Sequence, residues 1–584
     1  MSSPRIVYAL LAAVLLLQSV FCSVAPAVTL KDNVTYIGIN KGDVEQFRKI
    51  QYGVDTGGAR RFRPPEPFVA TPNTVFDAQA YGPSCPQPVS GILPWTSNAT
   101  EQSEDCLSLA VTRPARAVTN SPKLPVFVYV YGGSLYRGHI DERTLDPSAL
   151  VAESVANGHP IIYVAMNYRL NFFGFALTDA LRRENSLNSG LKDQRLALQW
   201  VRDNIEDFGG DPDRITLCGQ SSGALSVALQ MLAYGGTKGA PFSQGIMQST
   251  ALEPGITGNI TTNTTNAVVG LVGCIHDGKA QSEETLDCLR SVPWEKLLNA
   301  TIAHQDATST QNNGDTFLPV VDGDFLPDAP SILTAAGNFT PMRVLIGWDD
   351  DDATLFTPVT TSTSAATRAF ISLIWPGLQP STLDHLLALY PPPDFRPNAS
   401  ANLTAEFYRA ARIFRDIIFA CPSFLLGHAV ARAGADVYYF DNNQTILADI
   451  FAGTYGARGF GATHKSELPY IFGNLSLYDV AAGYGPAPED FALARTLSRT
   501  WSLFAAVGTP SVRGLDVLQG WLPSYTSGGV EAVEDASVYV IGGPEPGLAA
   551  LGGHGSFGDT VMAQKLPERC AFLNSDEVVK QLLY

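Results

Sequence analysis

The chain has 584 residues, 45% of them hydrophobic and 16% charged, with a formal net charge of −17. That apolar content excludes a disordered chain, which cannot bury enough surface to fold. The acidic balance, 56 Asp and Glu against 39 Lys and Arg, excludes nucleic acid and anionic membrane surfaces as main partners, because both repel it.

The N-terminus carries Arg5, a nearly unbroken apolar run from Ile6 to Cys22, and then Ala25-Pro26-Ala27, an A-x-A-like cleavage site. Residues 1–27 read as a secretory signal peptide and residues 28–584 as one mature domain. No other stretch approaches about 18 uncharged apolar residues, so no stable membrane anchor is expected. N-x-S/T sequons at Asn33, Asn98, Asn259, Asn263, Asn299, Asn338, Asn398, Asn402, Asn443 and Asn474 predict N-linked glycans on a secreted, extracellular protein.

Of 8 cysteines, Cys22 falls in the signal region. The remaining number is odd, which leaves one thiol unpaired. Cys218 is the candidate, because RITLCG reads as a buried strand and a buried free thiol behaves as a small hydrophobe. Pairing Cys85 with Cys106 and Cys274 with Cys288 would close short loops, and Cys421 with Cys570 would tie the C-terminus back; spacing alone does not choose the connectivity. No C-x-x-C or H-x-x-x-H spacing occurs, so neither a metal nor another cofactor is expected.

In chain order, Pro125 to Tyr131 is a β-branched and aromatic run broken by Gly132-Gly133, and Pro160 to Tyr168 is a second predicted strand. Lys192 to Asp207 places Leu196, Leu198, Trp200, Val201 and Ile205 in a helical pattern stopped at Gly209-Gly210. Ile215 to Cys218 predicts a strand and Ala224 to Ala233 the helix after it. The Thr/Asn-rich run Thr257 to Asn266 reads as a glycosylated surface loop; Met342 to Gly347 and Asp436 to Phe440 are further short strands. Strands alternating with helices predict an α/β class with a largely parallel sheet covered on both faces. No linker divides the chain.

Gly219-Gln220-Ser221-Ser222-Gly223 is a G-x-S-x-G stretch between a predicted strand and a predicted helix. A nucleophile on that tight turn projects above the sheet, and the helix N-terminus favours developing negative charge. Upstream, Tyr131-Gly132-Gly133-Ser134 lies where backbone N–H groups can meet an oxyanion, and downstream Asp352 precedes His464 in the order Ser, acid, His.

With these motifs stand RFRPPEPF (61–68), YGPSCPQ (81–87), SEDCLSLAV (103–111), NYRLNFFGF (167–175), LKDQRLALQWVRDNIEDFGGDPDRITLCGQSSG (191–223), LPVVDGDFLPD (318–328) and HKSELPYIFG (464–473). Together they resemble the type-B carboxylesterase/lipase family, which also contains cholinesterases and neuroligin-like adhesion proteins. The resemblance implies an α/β-hydrolase fold, with a large, mostly parallel central sheet flanked by helices. It implies Ser221 as nucleophile, His464 as base and Asp352 as the acid, with the N–H groups of Gly133, Ser134 and Ser222 as oxyanion donors. It also implies the pairs Cys85–Cys106, Cys274–Cys288 and Cys421–Cys570, and structural ion pairs Arg61–Glu104 and Arg169–Asp193.

Three departures from the family pattern stand out. Asp352 replaces the usual Glu, Gln220 replaces the usual Glu before the nucleophile, and Ser134 replaces a Gly. Because Asp349 to Asp352 are consecutive aspartates, a solvated acidic turn, or another member as the orienting acid, is the competing reading. The expected function is a secreted serine carboxylic-ester hydrolase working through an acyl-enzyme on a small-molecule or lipid ester. A lipase for long-chain acylglycerols, or a catalytically silent adhesion protein on the same fold, is the alternative. Gln220 removes a charge that would favour choline, and Leu355 after Thr354 is no aromatic ring, although Trp95 offers a face to a cation. The loop between Cys85 and Cys106, with Pro86, Pro88, Gly91, Pro94 and the Asn98 sequon, makes a poor amphipathic lid. Soluble, short-chain esters are therefore expected over long-chain or choline esters.

Overall fold

The apolar runs flanking the serine motif pair as neighbouring parallel strands in the computed structural model, which describes residues 25–89, 97–99, 101–115, 122–250, 252–478, 485–525, 533–552 and 558–584. The expected signal peptide up to Val24, with Cys22, lies outside the described residues, as do Gly91, Pro94 and Trp95. β7 (Leu124–Val130), β8 (Ile162–Met166), β9 (Gly210–Gln220), β10 (Gln244–Gln248), β11 (Arg343–Asp349), β12 (Val437–Asn443) and β13 (Ser537–Gly542) run parallel. β14 (Gly547–Ala550) closes one edge and β6 (Ser108–Pro114), β4 (Val44–Gln51) and β3 (Ile39–Lys41) the other, all antiparallel. The full order is β14-β13-β12-β11-β10-β9-β7-β8-β6-β4-β3, an 11-stranded sheet. A separate sheet of three short strands, Ala27–Thr29, Thr35–Ile37 and Val75–Asp77, lies near the N-terminus.

The central strands are buried on both faces, which is why they read as continuous apolar runs: every residue of β8, IYVAM, is buried. The order reverses at β7, which pairs with both β8 and β9. Crevices form beyond the C-terminal strand ends at such a reversal. The Gly132-Gly133 loop leaves β7 there, and Ser221 leaves β9.

The helix Ser189–Asn204 buries Leu191, Ala197, Leu198 and Val201, continues as one 3-10 turn to Phe208 and stops at Gly209 with φ 90°. The helix after the motif, Ser222–Leu232, is buried along its whole length and starts at the motif itself, before the expected Ala224. One expectation is overturned. Thr257 to Asn266 is not a surface loop, because Ile260–Val272 is a helix with Thr261, Thr264, Thr265, Val268, Val269 and Val272 buried. Its threonines hide their polarity locally: Thr261 Oγ1 donates to Leu318 O, and Thr265 Oγ1 accepts from Leu177 N. Asn259 and Asn263 stay exposed.

The stretch Ala405–Arg432 is long and apolar enough to cross a membrane by length and hydropathy, yet 83% of its apolar window is buried inside the protein. A π-helical turn, Asp416–Ala420, interrupts it. Such turns often re-aim side chains at functional sites, and this one carries Phe419 onto His464.

Disulfides join Cys85 to Cys106, Cys274 to Cys288 and Cys421 to Cys570. Cys218 is a buried free thiol whose Sγ lies 3.3 Å from Gln248 Oε1. Arg61 grips Glu104 through two bonds of 2.6 and 2.7 Å, and Arg169 grips Asp193 through 2.8 and 2.6 Å. All four side chains are buried.

Candidate active site

Ser221 stands between β9 and the following helix with φ 59° and ψ −130°. A non-glycine residue pays for that conformation with about 1–3 kcal/mol of strain. The two glycines make the turn sterically feasible. A Cβ on Gly219 would meet Gly223 O at 2.2 Å, and one on Gly223 would meet Val130 O at 2.1 Å. Strand β9, the helix and β7 converge at a distance that any side chain would forbid.

Asp352 follows β11, is fully buried, and its Oδ1 lies 2.5 Å from His464 Nδ1. Its Oδ2 accepts from Asp349 N at 3.0 Å, so both oxygens are held. The loop bearing His464 is braced against the aspartate turn by Asp351 N to Ala462 O at 2.9 Å, and by Thr354 Oγ1 to Phe460 O at 2.7 Å. The His464 ring stacks on Phe419 at 5.0 Å and meets the edge of Phe356 at 5.2 Å.

The aspartate run is therefore no solvated turn. Asp349 is also fully buried, but its carboxyl faces away from the imidazole and accepts from Asn442 Nδ2 (2.6 Å) and Ser466 N (3.2 Å). Burial, then the nearby charges of Glu467 and Asp352, push the Asp349 carboxyl well above the usual range. Glu467 is raised as well, chiefly by burial.

Ser221 Oγ has no hydrogen-bond partner among the described residues. Instead Gln220 Nε2 sits 3.2 Å from His464 Nε2, while Gln220 Oε1 has no partner. With Nδ1 bonded to the Asp352 carboxylate, Nε2 carries the lone pair, so the network assigns the amide as donor. In the opposite wall, Gly133 (φ 104°), Ser134 (φ 62°) and Leu135 (φ 52°) are all left-handed. Leu135 N donates to Ser222 Oγ at 3.0 Å, which ties that loop to the helix start. Ser222 is the first helical residue, so its N–H belongs to the set without an intrahelical acceptor. Gly133 and Ser134 likewise donate to no backbone acceptor among the described residues.

Ser221, Gly133, Ser134 and His464 share a cavity of about 560 Å³, with Arg137, Glu142, Asp306 and Lys465 farther along its wall. Burial pulls the Lys465 ammonium down to about 8. A smaller pocket of about 30 Å³ also touches Ser221 and His464, and Glu253, Asp315, Ile418 and Phe419 line it. Sequence reasoning missed these four. They come from three separate segments with no motif or shared spacing, and only folding makes those segments neighbours.

Residues 33–528 match the model of the Carboxylesterase family. The chain belongs to this family. A protein named a secreted lipase from Arthroderma benhamiae is 43% identical over 573 residues, 98% of either chain. A protein from Byssochlamys spectabilis, named an inactive carboxylesterase-like protein, is 35% identical over 92% of either chain. The crystal structure of Aspergillus niger EstA superposes with a TM-score of 0.75 over 96% of this chain and 99% of its own, at 24% identity, a likeness of fold. This carboxylesterase is thus a carboxylic ester hydrolase on the α/β-hydrolase architecture. The resemblance read from the motifs stands.

Proposed function

We propose that the carboxylesterase cleaves its substrate through an acyl-enzyme on Ser221. His464 Nε2 takes the Ser221 proton as Oγ attacks the ester carbonyl, and Asp352 holds the imidazole tautomer. The N–H groups of Gly133, Ser134 and Ser222 meet the tetrahedral oxyanion. His464 returns the proton to the leaving alcohol, and a water activated by the same imidazole releases the acid. The observation carrying this reading is the 2.5 Å contact of His464 Nδ1 with the buried Asp352, inside the cavity that Ser221 lines. A fluorophosphonate should label Ser221 in the wild type and fail on Ser221→Ala. A folded wild type that stays unlabelled would place the protein with its silent relative instead.

Two readings of the substrate compete. The name of one relative, a secreted lipase, supports the lipase alternative. The charged groups lining the larger cavity, Arg137, Asp306 and Lys465, favour soluble esters, because an alkyl chain there would strip water from them. Rates on one alcohol's esters from acetate to palmitate separate the two. Butyrate is expected to exceed palmitate, with no rate jump as a triglyceride passes its solubility limit and no preference for choline esters.

Secretion through a signal peptide over residues 1–27, a single domain over 28–584 and N-glycosylation complete the proposal. Asn33, Asn98, Asn259, Asn263, Asn299, Asn338 and Asn402 are exposed, which suits glycans. Asn474 does not suit one, since its Nδ2 already donates to Thr144 O (3.2 Å) and Asp146 O (2.7 Å).

A further inference from the structure

The pocket of about 30 Å³ beside Ser221 is lined by two acids, Glu253 and Asp315. Glu253 is only 5% exposed. No donor among the described residues reaches Glu253 Oε1 or Asp315 Oδ1. The backbone leading from β10 into this wall is contorted, with Ser249 at φ 56° and Thr250 at φ 146°. Strain of that kind persists where the surroundings over-determine it.

Two carboxylates in contact in a largely buried pocket, with the Ser134 hydroxyl as a donor to one of them, do not both ionise. Burial, then Asp315, pushes Glu253 well above the ordinary carboxyl range. Asp315 is raised less decisively: burial lifts it, while bonds from Glu253 and the Ser134 hydroxyl, with the His464 charge, pull it back. The pair therefore shares one proton and one negative charge. The space beside it admits about one or two water-sized groups. A long acyl chain does not fit, and an alkyl end would displace water from the carboxyl pair and bring no donor in its place.

Which side of the ester enters follows from the order of events. The alcohol must depart before water attacks, whereas the acyl group stays bonded to Ser221, so a pocket of this size beside Ser221 suits the acyl group. Resting on the ester-hydrolase reading above, we propose that Glu253 and Asp315 form an acyl subsite for short acyl groups ending in a hydroxyl, whose O–H donates to the carboxyl pair. An ammonium in the same place would be repelled by the imidazolium that His464 becomes during attack.

Glycolate and propionate esters of one alcohol test this, because their acyl groups differ by a hydroxyl for a methyl. Each kcat/KM is divided by the hydroxide-catalysed rate of the same ester. The wild type should favour glycolate by about tenfold or more (about 1.4 kcal/mol), and Asp315→Ala should bring the ratio to near one or invert it. Asp315→Asn keeps the shape and removes the charge, so it should cut the ratio to an intermediate value. Fluorophosphonate labelling of each variant reports whether its site is assembled. A labelled wild type with no glycolate preference, or one that favours a glycine ester over glycolate, overturns the subsite and leaves the hydrolase reading intact. A ratio unchanged in labelled Asp315→Ala also overturns it. An unlabelled wild type takes both readings down together.

Discussion

Gln220 Nε2 stands 3.2 Å from His464 Nε2, the ring atom that in the proposed mechanism receives the Ser221 proton. A neighbouring amide thus occupies the position where the nucleophile is expected to bond. Donation to Nε2 stabilises the neutral ring and competes with Ser221 for its lone pair. The family pattern has Glu at this position, which would instead favour the imidazolium.

Gln220→Glu should therefore shift the acid limb of the kcat/KM profile to higher pH, by about one unit. Ser221 labelling at high pH should be at least as fast as in the wild type, since a competing donor is gone. The pH dependence of both rates checks this; an acid limb that stays put or moves down contradicts a donor role for the Gln220 amide.

Asp352 and Asp349 should behave oppositely on amidation. Asp352→Asn presents an amide to His464 Nδ1 and favours the wrong tautomer, so kcat should drop by about four orders of magnitude. Burial, then Glu467, pushes the Asp349 carboxyl well above the usual range, and its oxygens bond Asn442 and Ser466 rather than His464. Asn is neutral and nearly the same shape, so Asp349→Asn should cost less than about tenfold, or about 1.4 kcal/mol. Steady-state rates of the two variants decide it, and the reverse order would move the orienting role to Asp349.

Stability should rise on mild acidification. Burial, then Asp350, raises both Asp351 and Asp441 to about 7. An acid whose folded pKa is raised binds a proton in the folded state that the unfolded chain has already lost. Its contribution is complete below about pH 4 and disappears as pH climbs through about 7. The net charge of −17 adds self-repulsion in the same direction. Calorimetry should show a Tm roughly 2–5 °C higher at pH 5 than at pH 8, and Asp351→Asn with Asp441→Asn should flatten that difference.

The Arg169–Asp193 pair is an architectural element. Both side chains are buried, and Arg169 N and NH1 make further bonds to Asp193 Oδ2 (3.0 Å) and Arg63 O (2.7 Å). Asp193→Asn leaves a guanidinium buried without its counter-charge and should destabilise the protein by about 3–5 kcal/mol. Denaturant unfolding measures the loss. Ser221 labelling per folded molecule should change little, which separates a structural role from a catalytic one.

The sequence by itself determined the sheet's core and the serine turn. Strands buried on both faces must be continuously apolar, so IYVAM and LPVFVYV announce themselves wherever they fold. Gly219 and Gly223 are equally legible, because the close approach at the turn excludes every side chain. Local chemistry was less reliable where threonine was concerned. The helix Ile260–Val272 looked like a polar loop, since buried threonines satisfy their hydroxyls on neighbours that periodicity does not reveal.

Only the tertiary structure decided which carboxylate meets the imidazole and which acids face the nucleophile. Asp349 and Asp352 are three positions apart in one acidic run, and the direction in which the chain leaves β11 sends one to His464 and the other to Asn442 and Ser466. Glu253 and Asp315 carry no shared motif; the strained exit from β10 and the segment around Asp315 bring them together. The amide on His464 Nε2 is of the same kind, because Gln220 ends β9 and the histidine loop follows β12, and only the sheet order sets them side by side. Apolar burial and close backbone approach are written residue by residue along the chain. Contacts between single polar atoms depend on where distant segments come to rest, and no local pattern encodes that.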